Sequence, residues 1–316
     1  METTITTMNT KRHRIIVIVG PTGSGKTDLS ITLARRYDAP IISADSRQIY
    51  RGMAIGTAQP TPEQLQSAEH HFIASHDVSQ TFNCGAFAQQ ALALLDKLFV
   101  EHPTVIVVGG SGLYIKALCE GMDDLPEVDE QLRNRIAREY AEGGLAPLAE
   151  ELRECDPAYY EQVDRSNPAR VLRAIEVCRA TGLPYSAMRK GERTQRDFDI
   201  VKIGVERPRE ELYNRINRRV DAMMTEGLEA EARAMLPYRN NNALNTVGYR
   251  ELFDCFDGKI SRDEAVELIK RNSRRYAKRQ MTWFGRDTEI RWFDPLQVDE
   301  IVNYIDSRFG ESDIKS

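Results

Sequence analysis

The sequence lacks the features that mark a membrane or extracellular protein. Its 316 residues contain no apolar run near the roughly 20 residues that a transmembrane helix needs. The start, METTITTMNTKRHR, lacks the apolar core of a secretory signal peptide. The five cysteines are scattered without a CxxC pair, which argues against a zinc site or a disulfide framework. We therefore expect a cytoplasmic protein with reduced thiols and no membrane attachment.

The chain also lacks an overall positive charge, because 43 Lys and Arg residues are outnumbered by 48 Asp and Glu residues. Taken alone, the net charge of −5 argues against a nucleic-acid partner. One stretch differs: residues 270–286, KRNSRRYAKRQMTWFGR, contain seven basic residues and no acidic one. Local charge sets the field that a polyanion experiences. This stretch is therefore a candidate RNA-binding surface, with a solvated helix face as the alternative.

Short apolar runs alternate with helical patterns in the first part of the chain. Runs such as RIIVIVG and TVIVVGG are typical of buried parallel strands. Repetition of strand, helix and strand implies right-handed crossovers and a parallel sheet covered by helices. We predict an α/β fold. The predicted strands are 14–20, 40–45, 104–110, 197–206 and 289–294.

The pattern changes after about residue 122, where charged helical sequence replaces the strand-like runs. Strand character returns at about residue 197, and a single long helix is predicted over 209–236. The predicted segments are a first part of the core (13–122), an α-helical insertion (123–196), a continuation of the core that includes the basic helical stretch (197–310), and flexible tails (1–12 and 311–316).

The stretch GPTGSGKT fits the pattern G-x-x-x-x-G-K-[ST] and stands between a predicted strand and a predicted helix. In such a P-loop, backbone N–H groups and the helix N-terminus attract a polyanion. Lys26 adds a mobile charge, and the Thr27 hydroxyl suits Mg²⁺. A chance glycine turn is the alternative, and it does not explain why motif and context agree. The predicted phosphate-binding residues of the loop are Gly20, Thr22, Gly23, Ser24, Gly25, Lys26 and Thr27.

Such a loop usually binds ATP or GTP, and a P-loop NTPase places an acid after a later strand to steady Mg²⁺. The candidate strand ends instead in Gly109, Gly110 and Ser111, whereas an acid, Asp45, follows the second strand. Because ligands gather at the carboxyl ends of such strands, we expect Asp45 and Ser111 to lie near the loop. Asp45 would hold a metal or accept a proton. Capping of a turn or helix is the alternative for both residues.

Six stretches appear in one order: GPTGSGKT, ISADSRQIYRGMAIGTAQPT, VVGGSGLYIKAL, NPARVLRAIEV, VGYREL and AKRQMTWF. Together they closely resemble the bacterial tRNA dimethylallyltransferases, the MiaA or IPP transferase family, from about residue 13 to about 295. The resemblance implies a P-loop NTPase-like core with a helical insertion that grips the anticodon arm of tRNA. The Cys/His spacing of the zinc finger that eukaryotic relatives often append is absent from the sequence.

The activity that this resemblance implies is transfer of a dimethylallyl group from dimethylallyl diphosphate to tRNA. The acceptor would be N6 of the adenosine just 3′ of the anticodon, in tRNAs that read codons beginning with U, and diphosphate would be released. The family uses Mg²⁺ and is mostly monomeric. The loop, Lys26 and Thr27 would stabilise the leaving group together with Arg219 and Arg215.

By the same resemblance, Asp45 would remove the N6 proton, and Ser111, where many relatives have Thr, would orient the amine. The target adenine must swing out of the anticodon loop to reach them. For Trp283 we favour packing in the core over stacking on a base. The residues that match tRNA-contacting stretches of the family are Asp45, Ser46, Arg47, Gln48, Ala169, Arg170, Val171, Leu172, Arg173, Gly248, Tyr249, Arg250, Lys278, Arg279, Gln280 and Trp283.

Three alternatives remain at this point. A small-molecule or nucleoside kinase requires the acid that is missing after the third strand. An adenylate isopentenyltransferase, which alkylates a free nucleotide, requires neither the basic stretch nor the helical insertion. A non-catalytic RNA-binding protein with a vestigial loop does not require the intact Gly25, Lys26 and Thr27 together with Asp45.

Overall fold

A computed structural model describes residues 13–123, 125–191 and 193–310 of the chain. The predicted flexible tails, 1–12 and 311–316, lie outside the described residues. The described chain divides into two compact units, an α/β unit formed by residues up to Cys119 and from Gln195, and a helical unit over Glu120–Thr194. No helix among the described residues is both long and apolar enough to cross a membrane.

The α/β unit is built on one six-stranded sheet in which every pair of neighbouring strands is parallel. The order across the sheet is β3-β2-β4-β1-β5-β6. This arrangement confirms the predicted α/β fold. The strands are β1 (Arg14–Val19), β2 (Ile41–Ser43), β3 (His70–His71), β4 (Thr104–Gly109), β5 (Asp199–Val205) and β6 (Arg291–Phe293).

Helices cover both faces of the sheet, because its central strands are apolar on both sides. In β1, Ile15, Val17 and Val19 pack into one core cluster and Ile16 and Ile18 into the other, and all five are fully buried. This alternation follows from the two-residue period of a strand. The helices of this unit are α1 (Lys26–Tyr37), α2 (Pro62–Ser67), α3 (Cys84–Leu98), α4 (Gly112–Glu120, which reaches the boundary), α10 (Arg209–Glu226), α11 (Leu228–Ala234), α12 (Tyr249–Phe256), α13 (Arg262–Phe284) and α14 (Val298–Phe309).

The helical unit has its own small core, which includes Ile136, Leu152 and Ile175. The helix Pro168–Thr181 begins after Asn167, whose side chain caps it, and ends at Gly182, which has a left-handed conformation. Its helices are α5 (Glu130–Gly143), α6 (Leu145–Cys155), α7 (Pro157–Gln162), α8 (Pro168–Thr181) and α9 (Tyr185–Met188).

The structure differs from the sequence-based prediction at two elements. The single helix predicted over 209–236 is interrupted at Gly227, whose φ of 108° ends α10 and begins α11. A left-handed glycine is a common helix terminus, because no Cβ opposes that conformation. The two-residue strand β3 was not predicted, since His70 and His71 have no apolar pattern.

Candidate active site

Three predicted parts of the site come from the carboxyl ends of adjacent strands. The P-loop follows β1, Asp45 follows β2, and Ser111 follows β4. Because β2, β4 and β1 are neighbours in the sheet, these three segments lie side by side. Backbone contacts continue beyond the strands, since the Ser111 N–H donates to the Ala44 carbonyl at 3.3 Å. The expected gathering of Asp45 and Ser111 at the carboxyl edge of the sheet is therefore observed.

The P-loop surrounds a space suited to an anion. Gly25 caps α1 with φ of 104°, which turns the loop into the first turn of the helix and leaves the early N–H groups pointing inward. The Ser24 hydroxyl is fully buried and, among the residues that the structure describes, has no hydrogen-bond partner. A buried polar group without a partner is rare in proteins. The loop therefore has donor capacity in excess of what the chain itself satisfies.

Two arginines fix the P-loop from outside. The Arg215 Nε donates to the Gly23 carbonyl at 2.9 Å, and the Arg207 Nε donates to the Ser24 carbonyl at 2.9 Å. Arg207 is held in turn by Glu211 at 2.6 Å. Arg215 was predicted to bind phosphate, and its observed contact is with the loop backbone. Its charge still contributes to the positive potential of the site.

A glutamine of α13 also positions the P-loop. Gln280 is 5% exposed, and its Oε1 accepts from the Thr22 N–H at 2.9 Å. Its Nε2 donates to the Gly110 carbonyl at 3.0 Å, and a Cβ at Gly110 would collide with this amide. Gln280 was predicted to contact tRNA, and that contact stays a prediction. In the structure its side chain holds the P-loop against the end of β4.

Lys26 is the central cation of the site. Its Nζ donates to the Pro21 carbonyl at 2.6 Å, which curls the side chain back over the loop. Loss of hydration lowers the pKa of Lys26 to about 7, the charge of Asp45 opposes this shift, and Arg219 reinforces it. A lysine in this state gains its full charge when an anion binds next to it.

Arg219 lies one turn after Arg215 on α10, as predicted. Its side chain is exposed to solvent. Loss of hydration lowers the pKa of Arg219, and the neighbouring charge of Arg215 lowers it further. Since Arg219 also lowers the pKa of Lys26, the cations of the site repel one another. This mutual repulsion would be relieved by a bound polyanion.

Asp45 and Ser111 are connected through the turn that follows β2. The Asp45 Oδ1 accepts from the backbone N–H groups of Arg47 at 2.9 Å and Gln48 at 3.3 Å, so the capping alternative is realised as well. The Ser111 hydroxyl accepts from the Ser46 N–H at 2.9 Å and donates to the Ser46 hydroxyl at 3.1 Å. These bonds fix the half-buried carboxylate beside the P-loop and leave its Oδ2 for another partner.

The side chains of Arg47 and Gln48, predicted to bind tRNA, point to protein groups. Arg47 donates to the Asn242 carbonyl at 2.6 Å. Gln48 donates to the Ala58 carbonyl at 2.8 Å, and its Oε1 accepts from the Ser43 hydroxyl at 3.3 Å. Both side chains therefore brace the turn that holds Asp45.

Two further residues that were predicted to contact tRNA have buried side chains. Tyr249 is fully buried, and its hydroxyl donates to Glu231 at 2.6 Å. Burial raises the pKa of the Tyr249 hydroxyl, and the Glu231 charge raises it further. In the helical unit, Val171 is fully buried in the core. The neighbouring Gly248 is buried as well, whereas Arg250 is exposed.

The remaining candidates of the helical unit lie in the first turns of α8. Ala169 and Arg170 are exposed. Leu172 and Arg173 are half-buried, and Arg173 pairs with Glu176 at 3.2 Å. Because they are exposed, Ala169 and Arg170 are the candidates in α8 whose side chains are accessible to tRNA.

The outward face of α13 is basic. Arg271, Arg275, Lys278 and Arg279 are exposed and fall within one side of the helix by their spacing. Within the described part of the chain, no carboxylate forms an ion pair with any of these four. We call them the basic face of α13. Unpaired charge of this kind is available to phosphates.

Trp283 lies at the edge of the site rather than in the core that we favoured. It is 37% exposed, whereas Phe284 next to it is 3% exposed. The indole lies against Gly112, the first residue of α4, where a Cβ would collide with it. Since Gly112 follows Ser111, the exposed ring stands beside the Asp45 turn. Stacking on a base, the alternative, is compatible with this position.

Sequence reasoning missed Tyr276, which also belongs to this site. Burial raises the pKa of the Tyr276 hydroxyl, and the nearby charge of Asp45 raises it further. Tyr276 precedes Gln280 by one turn of α13, so both face inward toward the P-loop and the Asp45 turn. Once Gln280 is assigned to the inner face, the helical period identifies Tyr276.

The residues fit Mg²⁺ only as an ion shared with a phosphate ligand. No group of three or more His, Cys, Asp or Glu side chains in the described residues could hold a metal ion by itself. Mg²⁺ characteristically takes one or two protein ligands and completes its shell with phosphate oxygens and water. The Thr27 hydroxyl, in the first turn of α1, and the Asp45 carboxylate are the oxygens of the site that suit it.

Comparisons with known proteins show what the chain is similar to. The family model described as IPP transferase matches residues 48–287. The tRNA dimethylallyltransferase of Cytophaga hutchinsonii is 49% identical over 297 residues, which cover 94% of this chain and 98% of the relative. The chain is also similar to the full-length tRNA isopentenylpyrophosphate transferase of Bacillus halodurans, with a TM-score of 0.71, 36% identity and coverage of 95% of this chain and 98% of that one. A eukaryotic dimethylallyltransferase acting on tRNA shares the fold, with a TM-score of 0.76, 23% identity and coverage of 94% and 77%.

Proposed function

The chain belongs to the IPP transferase family, and on that premise we propose that it is a prenyltransferase that moves a dimethylallyl group from dimethylallyl diphosphate to tRNA. The acceptor is N6 of the adenosine 3′-adjacent to the anticodon, in tRNAs that read codons beginning with U. The N6–carbon bond forms, the carbon–oxygen bond to diphosphate breaks, and the N6 proton leaves with a base. We further propose that the protein acts as a monomer in the cytoplasm.

One observation carries this proposal. A cationic P-loop and the Asp45 carboxylate share one edge of the sheet, while β4, which lies between β2 and β1, ends without an acid. That strand, β4, ends at Gly109 and continues into Gly110 and Ser111. Phosphoryl transfer from a nucleotide usually needs an acid there to steady the metal. Binding of a diphosphate leaving group needs only donors and cations, and these are present.

The leaving diphosphate gains negative charge on its bridging oxygen as the bond to carbon breaks. Backbone N–H groups of the P-loop, Lys26 and Arg219 would stabilise that charge, and such stabilisation by groups already in place is an effective form of catalysis. The Thr27 hydroxyl would help to hold Mg²⁺, which would supply further neutralisation of the diphosphate charge. On the acceptor side, Asp45 takes the N6 proton, and Ser111 keeps the Asp45 turn in place through Ser46.

Recognition of tRNA is assigned to exposed residues on both units. The basic face of α13 would neutralise backbone phosphates, and Trp283 would stack on a base near the extruded adenine. Ala169 and Arg170 of α8 would contribute from the helical unit, and Arg250 from α12.

Mass spectrometry of nucleosides tests the reaction. Purified protein, Mg²⁺, dimethylallyl diphosphate and unmodified tRNA should yield N6-(dimethylallyl)adenosine, and free adenosine monophosphate should not replace tRNA as acceptor. When ATP replaces the prenyl donor, it should not be consumed. When both are present, ATP should not compete with dimethylallyl diphosphate for binding. Stoichiometric loss of ATP without a prenylated nucleoside would favour the kinase alternative and refute the proposal.

A further inference from the structure

Glu231 of α11 holds a loop that carries no catalytic group. Its Oε2 accepts from the Ile55 N–H at 2.9 Å, and its Oε1 accepts from the Gly56 N–H at 2.8 Å. One carboxylate thus binds two successive backbone donors, which is a strong, charge-assisted arrangement. We call residues 53–59 the bracing loop.

Tyr249 completes this contact from α12. Its hydroxyl donates to the same Oε1 of Glu231 at 2.6 Å, and its ring lies over Gly56 so closely that a Cβ there would stand 2.6 Å from a ring carbon. The ring and the carboxylate therefore fix the bracing loop from two directions.

The bracing loop is strained as well as fixed. Ala58 has φ of 51°, a left-handed conformation that is unfavourable for a residue with a Cβ. Such conformations persist where surrounding contacts over-determine them. Its carbonyl accepts from the Gln48 side chain at 2.8 Å, so the strained residue is directly tied to the turn that holds Asp45.

A second glutamine, Gln59 of the bracing loop, also connects this loop to the turn that holds Asp45. The Gln59 Nε2 donates to the Gln48 carbonyl at 2.8 Å and to the Tyr50 carbonyl at 2.9 Å. The Asp45 carboxylate accepts from the Gln48 N–H in the same turn. Glu231, the bracing loop, Gln48 and Asp45 therefore form one connected chain of hydrogen bonds.

We propose that Glu231 is a positioning residue for Asp45, acting through the bracing loop. The inference rests on the proposed function, because it gives Asp45 the role of proton acceptor. Glu231 touches neither substrate in this arrangement. Its loss would let the Asp45 carboxylate move relative to the acceptor amine, while the P-loop and the basic face of α13 keep their own supports.

The test is Glu231→Gln, which keeps the size of the side chain but turns an NH₂ group toward a backbone N–H. We expect kcat for prenyl transfer to fall on the order of 10- to 100-fold, as for other small misplacements of a reacting group. The Kd values for dimethylallyl diphosphate and for tRNA should stay unchanged. Amide hydrogen exchange at Ile55 and Gly56 should accelerate. Glu229→Gln on the same helix removes only exposed ion pairs with Arg233 and Arg262, and should match the wild type.

Each outcome decides the question. A wild-type kcat in Glu231→Gln overturns the proposal, and so does a fall in kcat matched by weaker binding of both substrates, which is what a merely structural role predicts. If Glu231→Gln does not fold, Tyr249→Phe keeps the ring and removes one donor, and an unchanged kcat there overturns the proposal. Absence of product with the wild-type protein would instead refute the proposed function.

Discussion

Diphosphate binding should weaken steeply with rising pH, because the P-loop lysine of the free protein titrates near neutrality. The pKa of Lys26 is lowered to about 7, chiefly by loss of hydration. Half of the free protein therefore carries a charged Lys26 at about pH 7, and about one molecule in a hundred does so at about pH 9. If the bound anion keeps Lys26 charged, the association constant falls about 50-fold between these values.

Isothermal titration calorimetry with dimethylallyl diphosphate measures this effect. The last proton of a phosphate ester dissociates near pH 6, so the ligand changes little over the range. Titrations in two buffers of different ionisation enthalpy should show uptake of nearly one proton per ligand at about pH 9. Lys26→Met is the matched control: its binding should be weaker and independent of pH. Equal pH dependence in Lys26→Met, or no proton uptake by the wild type, would refute the assignment to Lys26.

The lowered pKa of Lys26 also affects the free energy of unfolding of the ligand-free protein, but this quantity changes with pH in the opposite direction to diphosphate affinity. Between a folded pKa of about 7 and the ordinary lysine value of 10.5, the unfolded chain binds the proton and the folded chain does not. The contribution of Lys26 to the free energy of unfolding therefore rises with pH across this window.

Three other changes have defined outcomes. Asp45→Asn keeps the Oδ1 that accepts from Arg47 and Gln48, so prenyl transfer should fall roughly 10²- to 10⁴-fold with the Kd for tRNA retained; unchanged turnover would remove Asp45 as the base. The double change Lys278→Gln with Arg279→Gln should flatten the slope of log K for tRNA against log salt by about 1.5. Lys259 is paired with Asp254 and Asp257, so the control Lys259→Gln should leave this slope unchanged. Equal slopes in the double variant and the wild type would exclude the basic face of α13 from the RNA interface. Gly56→Ala should cost about 1–3 kcal/mol of unfolding free energy in urea because its Cβ meets the Tyr249 ring, with Gly85→Ala at an unhindered helix start as control; equal midpoints would contradict the packing at Gly56.

The parts of the site that the sequence predicts are those whose geometry is local. GPTGSGKT encodes a strand end, a loop and a helix start in consecutive residues, so its position needs no knowledge of the rest of the chain. Asp45 and Ser111 follow from one further rule, that parallel strands end at a common edge. The alternation of strand and helix patterns predicted the α/β fold, the family resemblance implied its P-loop NTPase-like core, and both are confirmed.

The parts that escaped prediction depend on where side chains point after packing. Gln280 reaches Thr22 across 258 positions of sequence, and no local pattern specifies that contact. Tyr249 and Val171 stand in motifs that suggested RNA contact, yet both are fully buried. Gly227 sits inside a helical pattern that continues on both sides, so only its backbone conformation reveals the break.

The first and last residues of the helical unit lie next to each other in space. The Thr194 N–H donates to the Glu120 carbonyl at 2.8 Å, so the segment leaves and returns at neighbouring residues. None of the six strands of the sheet lies among the described residues of this unit. A short linker from Cys119 to Gln195 could therefore replace the whole unit without altering any strand order, and a gene could gain, lose or exchange such a module through a single in-frame event. The sheet that carries the P-loop and the Asp45 turn is therefore complete without the helical unit.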